Sequence, residues 1–198
     1  MLIYYVNDIP TDLADKVEQY ILSVDVPWCY QTFTIGEEEK KLQKPFLSKE
    51  LIVNDHPIFR SLMYWAGEKY GSMNVVSNLS DYLINYFKQN LIQEELNLGR
   101  VLANMTLPRK SAEGTIQQPH TDCAIGEPYY SFLYYPTDSD GDTYFFNNDN
   151  EIIAKASPLK GTGVLFNSDI THAGSLPVHN ERRIAINFMF ERLKYFKQ

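Results

Sequence analysis

Cysteine is scarce in this chain, and its two cysteines, Cys29 and Cys123, lie far apart without a CxxC spacing. This scarcity argues against a disulfide framework and predicts a reducing, cytoplasmic environment. The amino terminus lacks the basic segment and long apolar run of a signal peptide. No uninterrupted apolar stretch approaches the roughly 20 residues that a membrane-spanning helix requires. We therefore expect a cytoplasmic protein with no membrane partner.

Positive charge is also scarce, since 18 Lys and Arg residues against 25 Asp and Glu residues give a formal net charge of −7. Neutralising phosphates needs a basic surface, so this balance argues against nucleic acid as a partner. The chain also lacks repeats, low-complexity tracts and linkers, and its 198 residues are expected to form a single domain, 1–198. The aromatic content of 14% suits a globular protein rich in β-structure.

The first half of the chain has the apolar spacing of helices. Apolar residues recur every three or four positions in the segments 8–23, 54–71 and 77–96, which predicts a mainly helical amino-terminal part over 1–97. The charged segment 36–46 is expected to form a solvated loop or hairpin. His56 precedes a proline at the start of the second expected helix, so we interpret it as a cap residue and not as a metal ligand.

After about residue 98 the period of the pattern changes from helical to strand-like. Short runs rich in β-branched and aromatic residues are separated by Gly, Pro, Asn and Asp, which predicts strands. These runs are 100–107, 129–136, 142–149, 151–158, 161–168 and 182–191. The expected fold class is α+β, mainly β, with the helical part packed on a sandwich or barrel formed by residues 98–198.

A candidate metal site lies in the segment QQPHTDCAIGEP. His120 and Asp122 stand two residues apart, so both project to the same side if the segment is extended. A third ligand is offered by His172, just after a predicted strand, or by His179 in the loop that follows. Two histidines and one carboxylate with open positions are diagnostic of non-haem Fe(II) oxygenases. An isolated HxD triplet is usually solvated surface, so the residues downstream decide between the two interpretations.

Two arginines follow at the start of an alternating apolar strand. Arg182 and Arg183 come ten and eleven residues after His172, and a guanidinium there can bind a carboxylate through two parallel hydrogen bonds. Side chains alternate along a strand, so only one of the two arginines is expected to point inward.

The HTD triplet at 120–122, His172 and RRIAINF at 182–188 together resemble the HxD…H…R signature of Fe(II)/2-oxoglutarate-dependent dioxygenases. The general likeness is to the prolyl 4-hydroxylase-like branch and, within it, to small oxygenases encoded by bacteriophages. It covers roughly residues 100–191. The resemblance implies a double-stranded β-helix, or jelly roll, and it implies the host cytoplasm as the location if the chain is phage-encoded.

The resemblance also implies roles for individual residues. His120, Asp122 and His172 would be the catalytic Fe(II) ligands. A basic residue nine to eleven places after the distal histidine would bind the 5-carboxylate of 2-oxoglutarate. Arg183 is favoured because the family often carries R-x-A or R-x-S, and Arg182 is the alternative. The other residues that the resemblance places around the cosubstrate are Tyr135, which would hydrogen-bond the same carboxylate, and Asn104, which would line its pocket.

The activity implied is hydroxylation of an organic substrate with Fe(II), 2-oxoglutarate and O2, releasing succinate and CO2. Asp122 fills the position that a halogenase leaves free for chloride, which favours hydroxylation. The substrate would be a peptidyl residue such as proline, or a small metabolite. Two alternatives stay open: a non-catalytic jelly-roll binding or structural module, and a cupin metalloenzyme that does not use 2-oxoglutarate.

Overall fold

The computed structural model describes residues 1–32, 51–54, 56–70, 74–92, 94–109 and 113–193. Its helices are α1 (Thr11–Ile21) and α2 (Asn74–Asn90). Its strands are β1 (Ile3–Val6), β2 (Cys29–Gln31), β3 (Ile52–Val53), β4 (Ile58–Trp65), β5 (Glu68–Lys69), β6 (Glu95–Thr106), β7 (Thr115–Ile116), β8 (Tyr129–Tyr135), β9 (Thr143–Phe146), β10 (Ile152–Ala156), β11 (Thr162–Asn167), β12 (His172–Gly174) and β13 (Arg183–Leu193). The loop or hairpin expected at 36–46 lies outside the described residues.

An eight-stranded sheet forms the frame of the molecule. Its strand order is β1-β11-β8-β13-β6-β4-β2, with β5 paired to β4, and neighbouring strands are antiparallel. The central strand β13 pairs with β6 on one side and β8 on the other. Because side chains alternate along a strand, the even-numbered residues of β13 face one layer and the odd-numbered residues face another.

The helices cover the outer face of this sheet. Phe87 of α2 packs edge-on against Phe132 of β8 and Phe190 of β13, with ring centroids 5.4 and 5.8 Å apart. Both helices are amphipathic, and they bury Val17 and Ile21 of α1 and Leu83 of α2 in the same apolar cluster. No described helix is both long and apolar enough to cross a membrane.

A second layer of short strands lies over the inner face. It consists of a three-stranded sheet, β10-β9-β12, and the parallel pair β3-β7, and an isolated bridge connects Ile116 of β7 to Ser175. Apolar side chains from both layers meet in between, among them Leu133, Phe145 and Phe166. Two facing layers of this kind form a jelly roll, so the expected double-stranded β-helix is confirmed. The six predicted strand runs correspond to β6, β8, β9, β10, β11 and β13.

The mainly helical amino-terminal part is not what the structure shows. The segment 54–71, predicted as a helix, instead forms β4 and β5, so that prediction is wrong. The apolar residues with helical spacing in this segment, Ile58, Leu62 and Trp65, do not share a buried face, because Ile58 is buried whereas Leu62 and Trp65 are exposed. The segment is a strand because it pairs with β6 on one side and β2 on the other.

His56 accordingly does not cap a helix. It is buried just before β4, its backbone N–H donates to Gln117, and its ring Nδ1 lies 2.8 Å from a guanidinium nitrogen of Arg109. It remains outside the cluster of candidate metal ligands described below.

Candidate metal centre and cosubstrate pocket

The backbone brings the two histidines of the candidate site opposite each other. His120 and His172 form an isolated antiparallel bridge, in which each backbone N–H donates to the carbonyl of the other at 3.0 and 2.9 Å. Residues directly opposite in such a pair project their side chains to the same side of the sheet. The two imidazole rings consequently lie with their centroids 4.7 Å apart.

Each histidine ring is oriented by its own chain. Nδ1 of His120 lies 3.0 Å from the carbonyl oxygen of Gln118, and Nδ1 of His172 lies 3.0 Å from that of Ile170. A carbonyl only accepts, so each Nδ1 carries a proton, and in the neutral ring this tautomer leaves the Nε2 lone pair available to a metal. Metal-binding histidines are commonly oriented by such a bond to the nitrogen that does not bind the metal.

Asp122 completes the group. The candidate ligand atoms of His120, Asp122 and His172 all lie within 4.8 Å of one another. The Asp122 carboxylate accepts hydrogen bonds from Ser131 Oγ at 2.6 Å and from Asn187 Nδ2 at 3.0 and 2.9 Å, and Arg100 lies 3.3 Å away. These donors fix the orientation of the carboxylate in the wall of the barrel.

Burial and charge set the protonation of the group. Burial, and then the nearby His172, lower the pKa of His120 to about 4. Burial by itself would raise the pKa of Asp122, but His172, Arg100 and the other nearby donors outweigh it and lower this pKa to about 2. At neutral pH the site therefore presents a neutral imidazole at His120 and an ionised carboxylate at Asp122, the forms in which these groups bind metals.

Arg183 lies in the same interior and points inward. It is 7% exposed, and it donates from Nε to the Gly141 carbonyl and from a terminal nitrogen to Thr143 Oγ1, both at 2.6 Å. No carboxylate of the described residues lies within ion-pairing distance of it. This guanidinium and the rings of His120 and His172 line one cavity. A buried cation bonded only to neutral oxygens is suited to an anionic ligand.

No family model matches the chain, and no curated protein matches it. Solved structures match nearly its whole length. A 2OG-Fe(II) oxygenase family oxidoreductase from Burkholderia pseudomallei has a TM-score of 0.64 at 11% identity, over 97% of this chain and 86% of that one. A Pseudomonas putida prolyl-4-hydroxylase has a TM-score of 0.57 at 14% identity, over 96% and 92%. The chain has the fold of the 2OG-Fe(II) oxygenases.

That fold serves more than one reaction. The non-heme alpha ketoglutarate dependent epimerase SnoN, from nogalamycin biosynthesis, has a TM-score of 0.62 at 9% identity, over 96% of this chain and 78% of that one. An epimerase and a hydroxylase thus share the architecture, and at these identities the likeness concerns the fold alone.

Of the two candidate arginines, one is buried in the barrel and the other lies at the surface. Arg183 and Ala185 are buried, whereas the side chain of Arg182 is 40% exposed and pairs with Glu181 at the surface. His179 is exposed and lies outside the group of candidate ligands, with its backbone N–H bonded to Asp140.

Tyr135 and Asn104 both lie near the pocket, in different ways. Tyr135 is buried, its hydroxyl lies 2.8 Å from Thr143 Oγ1, and the Arg183 guanidinium carbon lies 5.9 Å from its ring centroid. It therefore contacts the site of Arg183 through Thr143. Asn104 lines the cavity, and its side-chain oxygen accepts a hydrogen bond from Arg60 at 3.0 Å.

Sequence reasoning missed Asn187, Ser131 and Arg100 as partners of Asp122. A signal for Asn187 was available, because it stands four residues after Arg183 and so shares its face of β13. Ser131 likewise shares a face with Tyr135 on β8. Neither shared face predicts Asp122 as the hydrogen-bond partner, because that contact depends on how the HTD loop crosses the sheet.

We expect Asn187→Ala to weaken Fe(II) binding about tenfold, because the Asp122 carboxylate loses the amide that bonds both of its oxygens. Anaerobic equilibrium dialysis with Fe(II) measures the change. Asn54→Ala, at an exposed asparagine outside the cavity, is the matched control and should bind Fe(II) as the wild type does. Equal affinities in the two variants would contradict the role assigned to Asn187.

Gly174 leaves room for the Arg183 guanidinium. A Cβ at this position would lie 3.0 Å from Arg183 Cζ and from one of its terminal nitrogens. We expect Gly174→Ala to weaken 2-oxoglutarate binding about tenfold, because the guanidinium must shift while the iron ligands stay in place. Titration with 2-oxoglutarate at saturating Fe(II) measures this change. A variant with normal affinity for 2-oxoglutarate would show that the Arg183 position is not the binding position.

Proposed function

We propose that the protein is an Fe(II)/2-oxoglutarate-dependent oxygenase that hydroxylates an organic substrate. One observation carries the proposal. In a barrel with the fold of such oxygenases, His120, Asp122 and His172 converge beside a cavity that also contains the buried guanidinium of Arg183. Ordinary packing or hydrogen bonding would explain each of these four side chains alone. A structural core does not need all four together.

The side chains fit a ferrous ion. Two imidazole Nε2 atoms and one carboxylate form the two-histidine, one-carboxylate set that leaves coordination positions open in non-haem iron enzymes. When bound, iron with 2-oxoglutarate and O2 supplies the oxidising chemistry: one oxygen atom of O2 enters a substrate C–H bond, the other enters succinate, and CO2 is released. In our proposal, Asn187 and Ser131 hold Asp122 in the orientation that this ion requires.

The anionic cosubstrate fits the other end of the cavity. In our proposal Arg183 binds the 5-carboxylate of 2-oxoglutarate, and Thr143 and Tyr135 orient the guanidinium. Charge complementarity supports this assignment, because a dicarboxylate would provide the directly bonded carboxylate that Arg183 lacks among the described residues. The apolar side chains of Leu133 and Ala185 beside it limit the access of water.

Two classes of substrate fit the proposal at this level. The structural likeness to a prolyl-4-hydroxylase supports a peptidyl residue such as proline, and a small metabolite is the other class. The two free cysteines suit action in a reducing cytoplasm.

An anaerobic optical titration tests the proposal. The purified protein is titrated with Fe(II) and then with 2-oxoglutarate, and chelation of iron by the keto acid is expected to give a weak visible charge-transfer band. Iron binding without the band would contradict the 2-oxoglutarate assignment and favour a cupin-type metalloenzyme. Binding of neither would contradict the enzyme assignment and favour a non-catalytic jelly-roll module.

A further inference from the structure

The inner face of β13 continues past the candidate metal site. Arg183, Asn187, Met189 and Glu191 are in phase along the strand, so their side chains follow one line on the inner face. Arg183 lies at one end, Asn187 contacts Asp122 in the middle, and Glu191 lies at the other end. The line therefore begins with a cation and ends with a carboxylate.

A second cavity, of about 710 Å³, occupies the Glu191 end of this line. It begins at Asp122 and Arg100, so it adjoins the candidate metal centre on the side away from Arg183. Ligand pockets of drug-sized molecules span roughly 300–1,000 Å³, and this cavity falls within that range. We call it the outer groove.

The outer groove is aromatic and acidic. Three of its described lining residues are aromatic, namely Tyr64, Trp65 and Tyr129. Three others, Asp122, Glu127 and Glu191, are carboxylates; Asp122 pairs with Arg100, whereas neither glutamate forms an ion pair with any described residue. Aromatic faces and carboxylates are the two kinds of group that attract an organic cation.

Arg100 is the one cationic side chain in the described lining, and it is paired with Asp122. Arg100 lies 3.3 Å from Asp122, and its side chain is only 20% exposed. Its charge is therefore directed toward the metal centre. The uncompensated charge of the outer groove is negative, in keeping with the net charge of −7 on the whole chain.

We propose that the outer groove binds the substrate through a cationic amine or guanidinium group. Glu127 and Glu191 bind this group, the rings of Trp65 and Tyr129 pack against it, and the C–H bond to be oxidised lies at the Asp122 end. The assignment rests on the proposed oxygenase function for its reaction, but the cation preference is a property of the groove and is measured without turnover.

Anaerobic calorimetry with matched probes tests the preference. Nα-acetyl-L-lysine amide is compared with its uncharged analogue Nα-acetyl-L-norleucine amide and with Nα-acetyl-L-glutamate amide. The measurement is made on the protein as purified and after loading with Fe(II) and 2-oxoglutarate. We expect the lysine probe to bind about tenfold more tightly than the norleucine probe, with a difference that shrinks as NaCl is added. Free L-lysine, added as a further probe, separates an amino-acid substrate from a peptidyl one.

Substitutions then assign the preference to the groove. The double variant Glu127→Gln/Glu191→Gln is expected to bind the lysine and norleucine probes equally, and Glu127→Lys/Glu191→Lys is expected to prefer the glutamate probe. Asp149→Asn removes an exposed carboxylate outside the groove and serves as the matched control, which should keep the wild-type order of affinities.

The outcomes separate the two proposals. If the wild type gives the 2-oxoglutarate charge-transfer band but binds the glutamate probe best, or the three probes equally, the cation assignment is overturned and the oxygenase assignment stands. If the band is absent while the lysine preference and its reversal are observed, the groove assignment stands and the oxygenase assignment fails.

Discussion

The Arg183→Met protein is expected to bind 2-oxoglutarate about a hundredfold more weakly than the wild type, which is the usual scale for truncating one partner of a buried charge pair. Methionine keeps most of the side-chain volume beside Gly141 and Gly174 but removes the charge and its hydrogen bonds. The protein should still fold, because Arg183 has no described carboxylate that the substitution would leave unpaired. Titration of the charge-transfer band with 2-oxoglutarate gives the affinity.

Arg182→Met is the matched control for this prediction. It removes the same charge one residue away, from a side chain that is 40% exposed and paired with Glu181. Thermal unfolding gives an independent readout of both variants. A ligand present at a hundred times its Kd stabilises the folded state by about 2.7 kcal/mol, and a hundredfold weaker ligand at that concentration by about 0.4 kcal/mol. Equal losses in both variants, or a loss only in Arg182→Met, would contradict the assignment of Arg183.

The strands of the second half were predictable because they are short apolar runs that are buried on both faces. β8, β11 and β13 each have neighbours on both sides, and short apolar runs bounded by turn residues indicate such strands without reference to the partner. The strand period also predicts that Arg182 and Arg183 face opposite ways. The direction that each faces depends on the layer covering β13, which the local pattern does not contain.

The error over 54–71 has a different origin. β4 is stabilised by pairing with β6, a segment some 40 residues later in the chain, and this long-range pairing is not visible in the local spacing of apolar residues. Ile58, Leu62 and Trp65 have helical spacing in the sequence, but only Ile58 is buried in the strand. The same limit applies to Arg100, since its contact with Asp122 is set by the path of the HTD loop and by no local periodicity.

The outer groove was beyond sequence reasoning for the same reason. Its lining comes from the turn after β4, from β6, from the loop before β8 and from the end of β13. Glu127 and Glu191 are 64 residues apart, and each alone looks like an ordinary solvated carboxylate. Only the antiparallel register, which places Glu191 opposite Tyr129, brings the two acids to one edge of the sheet.

The His172→Gln protein is expected to lose Fe(II) affinity by more than about a hundredfold, because removal of an outer-shell partner alone commonly costs about 10–100-fold. Both the charge-transfer band and turnover should disappear with it. Glutamine fills much of the space between Phe145 and Phe166, so the far-UV circular dichroism of the variant should match that of the wild type.

His179→Gln provides the matched comparison for that result. The two histidines are seven residues apart, but His172 lies within the group of candidate ligands, whereas His179 is an exposed loop residue outside it. Equilibrium dialysis with Fe(II) under anaerobic conditions should therefore give wild-type affinity for His179→Gln. The reverse pattern would move the third ligand to the loop. That position is incompatible with the bridge that sets the rings of His120 and His172 4.7 Å apart, so the reverse result would reject this site and not merely reassign one ligand.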